Sequence, residues 1–232
     1  MRSKNEQCGI ALSVLIMFCA VMLSGCGSDD SKSDESKKIE KGDAIEFGGR
    51  SWLVLAVEDG KALILSEKVI GPARHYYDTN MSVVASITWA NSTIREYLNT
   101  EFLNSFNQAD RERILDTKVI TSNNPLYDTD GGEDTVDKIF LLSLEEVVQY
   151  FGDSGELKNR PDQISRISDQ YNFSRIVYYD DNGKTSWWLR SPGKHSSLAA
   201  FVEVDGSISV GGNAVHGYDG GMRPALWLKI EE

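Results

Sequence analysis

Between residues 42 and 232 the hydrophobic pattern changes period twice. Residues 44–47 (AIEF) precede Gly48-Gly49, a pair suited to a tight hairpin, and residues 51–57 (SWLVLAV) are apolar on both faces, as in a buried strand. Asp59-Gly60 marks a second turn before residues 62–65 (ALIL), so the opening predicts a three-stranded antiparallel meander. Helical spacing then takes over. Ile94, Tyr97, Leu98, Phe102 and Phe106 share one side of a helix capped by Asn91 or Ser92. A shorter helix is expected over residues 108–115. Ser143-Leu144-Glu145-Glu146 has the capping-box pattern, with Val147, Val148 and Phe151 on the apolar side of the helix it opens and Gly152 at its end. Residues 153–183 are polar, and loop is expected there with one helix near 163–170. Strands return at 187–190 (WWLR), at 199–204 and 207–210 around the turn Asp205-Gly206, and at 223–230. This order predicts an α+β domain, mainly antiparallel, with two or three helices between N- and C-terminal strands that share one sheet.

The amino terminus follows another rule. Arg2 and Lys4 lead into an apolar run over residues 10–23. Its fourteen residues fall short of the roughly twenty that a permanent membrane helix needs, and the run reads as the apolar part of a signal peptide. It ends in Leu23-Ser24-Gly25-Cys26, which resembles the lipobox of bacterial lipoproteins. The resemblance implies diacylglyceryl transfer to the Cys26 sulfur and cleavage just before it. Residues 1–25 are then the signal peptide. Residues 26–41, whose polar part reads GSDDSKSDESKKIEK, form a lipidated, disordered tether, and residues 42–232 form a single monomeric domain on the extracytoplasmic face of the cell membrane.

Charge and cysteine content narrow the partners. The net charge of −11 becomes one unit more negative once Arg2, Lys4 and Glu6 are removed. So acidic a domain gains nothing from phosphate backbones, which argues against nucleic acid, and it is repelled by anionic headgroups. Membrane attachment therefore falls to the lipid. Of Cys8, Cys19 and Cys26, only Cys26 survives cleavage, so the mature domain has no disulfide and no thiol for catalysis.

Five phrases occur in order: FGGRSWLVL (47–55), TWANSTIREYLNTEF (88–102), DTVDKIFLLSLEE (134–146), WWLRSPG (187–193) and MRPALWL (222–228). They resemble a widespread bacterial domain of unknown function, covering residues 44–230, whose members are common in surface and lipid-anchored proteins of Gram-positive gut bacteria. The element order, the tryptophan-rich strand ending in Arg190 and the closing Arg223-Pro224 strand are also similar to the C-type lectin-like fold. That fold is shared by the formylglycine-generating enzymes and their sulfoxide-forming relatives.

Candidate chemistry sits in a few places. Trp187, Trp188 and Arg190 admit two readings: one indole on a binding surface beside an arginine that grips a carboxylate, or both indoles in the core with Arg190 in a buried ion pair, for which Asp137 is the candidate partner. Arg223 admits the same two readings. Tyr218, in the glycine-rich stretch 211–221, is a candidate wall of a ligand site. Asp128, Asp130, Glu133, Asp134 and Asp137 flank Gly131-Gly132 and offer the oxygen ligands calcium takes, although their spacing is not that of an EF-hand. His75, His195 and His216 show no metal-ligand spacing.

Three functions are weighed. The first is a non-catalytic binding module displayed at the membrane, taking an unknown glycan, peptide or envelope protein, with no required cofactor. The second is an enzyme, hydrolytic if anything, on the formylglycine-generating-enzyme-like fold. The copper-binding cysteines of that family are missing, and so is the helical pattern of its relatives' iron-binding histidine triad. The third, a transporter-linked solute receptor, ranks last because no alternating strand-helix lobes recur.

Overall fold

The computed structural model describes residues 38–74, 76–77, 86–159, 165–180, 183–216 and 220–230. The expected meander is present: β1 (Ala44–Phe47), β2 (Arg50–Glu58) and β3 (Lys61–Ser66) pair antiparallel in chain order. Both turns are left-handed, with Gly48 and Gly49 at φ 59° and 71° and Asp59 and Gly60 at 46° and 71°. That handedness matches the twist of the flanking strands. β4 (Ile70–Arg74) then leaves for another sheet.

α1 (Thr93–Tyr97) is capped by Ser92, whose hydroxyl oxygen accepts the Arg95 amide, and continues as a wider π turn over Leu98–Phe102. Ile94, Leu98, Phe102 and Phe106 are all buried, as their spacing predicts. α2 (Gln108–Arg113) follows, and β5 (Thr117–Val119) pairs with β6 (Thr135–Asp137). α3 (Leu144–Phe151) opens with both halves of the Ser143–Glu146 capping box and stops at Gly152.

The stretch expected to carry a helix near 163–170 is different. Residues 160–164 lie outside the described part, and Arg166–Ile167 is a strand, β7, in which Ile167 is buried and Arg166 exposed. That two-residue alternation serves a sheet edge, and the helix, α4 (Asn172–Arg175), comes later. β8 (Val177–Tyr178) and β9 (Lys184–Thr185) form a small ladder. β10 (Trp187–Pro192), β11 (Leu198–Val202) and β12 (Ile208–Ala214) run antiparallel, β13 (Gly220–Met222) runs parallel to β10, and β14 (Ala225–Lys229) returns antiparallel to β3.

The result is an α+β fold, mostly antiparallel, with sheets ordered β1-β2-β3-β14 and β4-β13-β10-β11-β12-β7. First and last strands share a sheet, as expected. The tryptophan strand belongs to the other one. The cause is a pair of crossings, β3 to β4 and β13 to β14, which carry the chain between the sheets. The crossings are bonded to each other, Ser66 N–H donating to the Pro224 carbonyl at 2.9 Å. No helix among the described residues is long and apolar enough to cross a membrane.

Candidate functional site

β10 lies inside its sheet and is covered on both faces. Trp187 packs on Phe151 of α3 (6.3 Å between ring centroids) and donates its indole N–H to the Arg175 carbonyl at 3.1 Å. Trp188, on the opposite face, meets Tyr76 and Phe201 nearly edge-on at 5.6 and 5.8 Å. Both indoles are 0% exposed, so neither forms a binding surface and both serve the core. Each edge-on aromatic pair is worth about 0.5–1.5 kcal/mol beyond its burial.

Arg190 is buried in an ion pair, but its partner is Glu146 rather than Asp137. Its Nη2 donates to Glu146 Oε1 at 2.8 Å and its Nη1 to Glu146 Oε2, with further bonds to the Leu141 and Ile120 carbonyls. Glu146 is set there by the cap of α3, where it also accepts the Ser143 amide at 2.9 Å. Asp137 is taken elsewhere. It is buried and accepts bonds from Arg95 Nε (2.7 Å), Trp89 Nε1 (2.9 Å) and the Thr135 hydroxyl.

Three of the other four acids of that loop are taken locally, and Glu133 is exposed. Asp128 accepts from Asn123, Asp130 accepts the Gly132 amide, and Asp134 pairs with Lys118. Among the described residues no group of three or more His, Cys, Asp or Glu stands close enough to hold a metal ion. His195 is exposed, while His216 meets the Tyr77 ring edge-on and bonds the Tyr77 carbonyl through Nδ1. Tyr218, His75 and Cys26 lie outside the described residues.

Among the described residues Arg223 differs from the two other buried arginines, Arg175 and Arg190. It stands in the β13–β14 crossing, 4% exposed, with its guanidinium 5.1 Å from the Trp187 ring and 5.4 Å from Phe151. Its Nε donates to the Ser66 carbonyl at 2.9 Å, while Nη1 is buried without a partner. Burial pulls its pKa down to about 9, against the pull of Glu67, so it remains a cation at neutral pH. Arg190 has Glu146, Arg95 has Asp137, and Arg175 is held at 2.8 and 2.9 Å by both oxygens of Asp169. Among the described residues no carboxylate stands within ion-pair distance of Arg223.

Arg223 is also one wall of an open hollow of about 460 Å³, lined as well by Leu53, Glu67, Lys68, Tyr178 and Asp180. A larger hollow of about 580 Å³ adjoins it, sharing Glu67, Lys68 and Asp180 and adding Arg50, Tyr97 and Phe102 among its walls. The β3–β4 crossing builds the shared rim, tied to β8 by the Val69 amide donating to the Tyr178 carbonyl at 3.2 Å. Local spacing missed this groove because its walls come from β2, β3, β8 and the β13–β14 crossing. The one legible signal was Arg223 itself, an arginine fixed between an apolar strand and Pro224.

The comparisons with curated proteins and with solved structures return no match. A family model, that of the domain of unknown function DUF6273, matches residues 59–230, which is most of the chain. The chain therefore belongs to the DUF6273 family.

Proposed function

We propose that this chain is a membrane-anchored bacterial surface lipoprotein whose domain, residues 42–232, binds a ligand in the groove beside Arg223 without transforming it. The anchoring half of the reading rests on Leu23-Ser24-Gly25-Cys26 closing an apolar run too short to span, followed by a polar tether. The binding half is carried by one observation: a concave, mixed-charge groove walled by aromatic side chains, into which a buried arginine without a carboxylate is set. Arg223 is compensated by the Ser66 carbonyl and two aromatic rings but by no carboxylate within ion-pair distance, so an acidic ligand group in the adjoining hollow would complete its surroundings. A panel of bacterial envelope glycans, peptides and envelope proteins, titrated against the detergent-purified full chain, tests this. Saturable binding that is weakened by Lys68→Glu on the groove rim is the expected result. Binding by no member, or binding indifferent to that substitution, counts against the groove as the site.

A further inference from the structure

Resting on that reading, we infer that the groove takes the carboxylate of a zwitterionic ligand, an amino acid or short peptide, against Arg223. Three arguments converge. The first is internal comparison. Among the described residues the two other buried arginines, Arg175 and Arg190, each have an aspartate or glutamate oxygen within 2.9 Å. Arg175 also has one nitrogen, Nε, without a partner, but Asp169 answers its charge through both oxygens. At Arg223 no carboxylate stands within ion-pair distance among the described residues, and the side chain is one wall of the hollow.

The second argument is the sign pattern of the rim. The smaller hollow sets Lys68 and Arg223 beside Glu67 and Asp180, two charges of each sign. A phosphate dianion entering there meets two carboxylates on a chain of net charge −11. A zwitterion meets Arg223 and Lys68 with its carboxylate and leaves Glu67 and Asp180 for its ammonium. The third argument is the neighbouring hollow. With Tyr97, Phe102 and Arg50 among its walls, it gives apolar and polar surface on which further residues of a peptide can lie.

Calorimetric titration of the detergent-purified full chain tests this with five probes: free alanine, the dipeptide alanyl-alanine, alaninamide, N-acetylalanine and inorganic phosphate. Alanine or the dipeptide is expected to bind. Amidation of the carboxylate is expected to weaken binding by more than about tenfold, the scale of leaving a buried charge unanswered. N-acetylation should weaken it less, and phosphate should not compete. The relative affinities of free amino acid and dipeptide separate the two sources of the same headgroup.

Lys68→Gln and Glu67→Gln, both at exposed positions, should each weaken binding without changing the melting temperature. Arg223→Met should abolish binding; because it also removes the Ser66 bond and the contacts with Trp187 and Phe151, the two rim variants carry the test should it lose stability. Amides that bind as well as acids, phosphate that displaces the ligand, or full affinity in both Lys68→Gln and Glu67→Gln would overturn the inference. If no zwitterion binds while a glycan or envelope protein does, the ligand class fails and the binding reading stands. If nothing binds in either experiment, both fail.

Discussion

Glu146 holds two structures together with one carboxylate, closing the cap of α3 and neutralising Arg190 in the interior. Removing its charge leaves a buried guanidinium half-satisfied, which costs on the order of 3 kcal/mol. Glu146→Gln should therefore lower the midpoint of urea unfolding substantially, and adding Arg190→Met should recover part of the loss. Equal or additive losses would show that the pair is not coupled. Asp169 gives a pH-dependent counterpart. Burial opposes its charged form, but hydrogen bonds from Arg175, Ser154 and the Tyr171 amide outweigh it and hold its pKa below the ordinary carboxylate value. A carboxyl whose folded pKa is depressed contributes stability above its unfolded pKa and loses that contribution as pH falls through the folded value. The prediction is an acid-side decline in melting temperature, beginning at or below the ordinary carboxylate range, that Asp169→Asn flattens. An unchanged acid limb in that variant would exclude the Arg175–Asp169 pair as its source.

At the scale of elements, what could be read in advance was what neighbours in sequence decide. The meander, the capping box of α3 and the Asp205-Gly206 turn are local, and each is where its residues put it. β7, β8, β9 and β13 are only two or three residues long, too short for an alternation to show, and β4 contains glycine and proline. Arg190 was legible as a buried ion-pair member, but its partner was not, because Glu146 is 44 residues away and reaches it only once α3 packs on β10. The groove was hidden for the same reason. Gly206 offers a check on the turn it closes. Its φ is 83°, and a Cβ there would lie 1.8 Å from the Asn172 carbonyl oxygen. Gly49, at φ 71°, has open space around it. Gly49→Ala should cost about 1 kcal/mol through backbone strain alone. Gly206→Ala should cost clearly more, because α4 must also shift off the hairpin. Equal losses in thermal unfolding of the two variants would mean that α4 yields freely.

For the whole molecule, fold and anchoring address different questions. Membership of the DUF6273 family and the two-sheet α+β architecture describe the domain. Where it works is the question that its first residues raise under the proposed anchoring at Cys26. The proposed lipoprotein reading depends most on position 26. Intact-mass and peptide mass spectrometry of protein extracted from the native membrane reads it directly. The account predicts a chain beginning at Cys26 and carrying a diacylglyceryl group on its sulfur. A chain still beginning at Met1, or one cleaved but without lipid on Cys26, would contradict it.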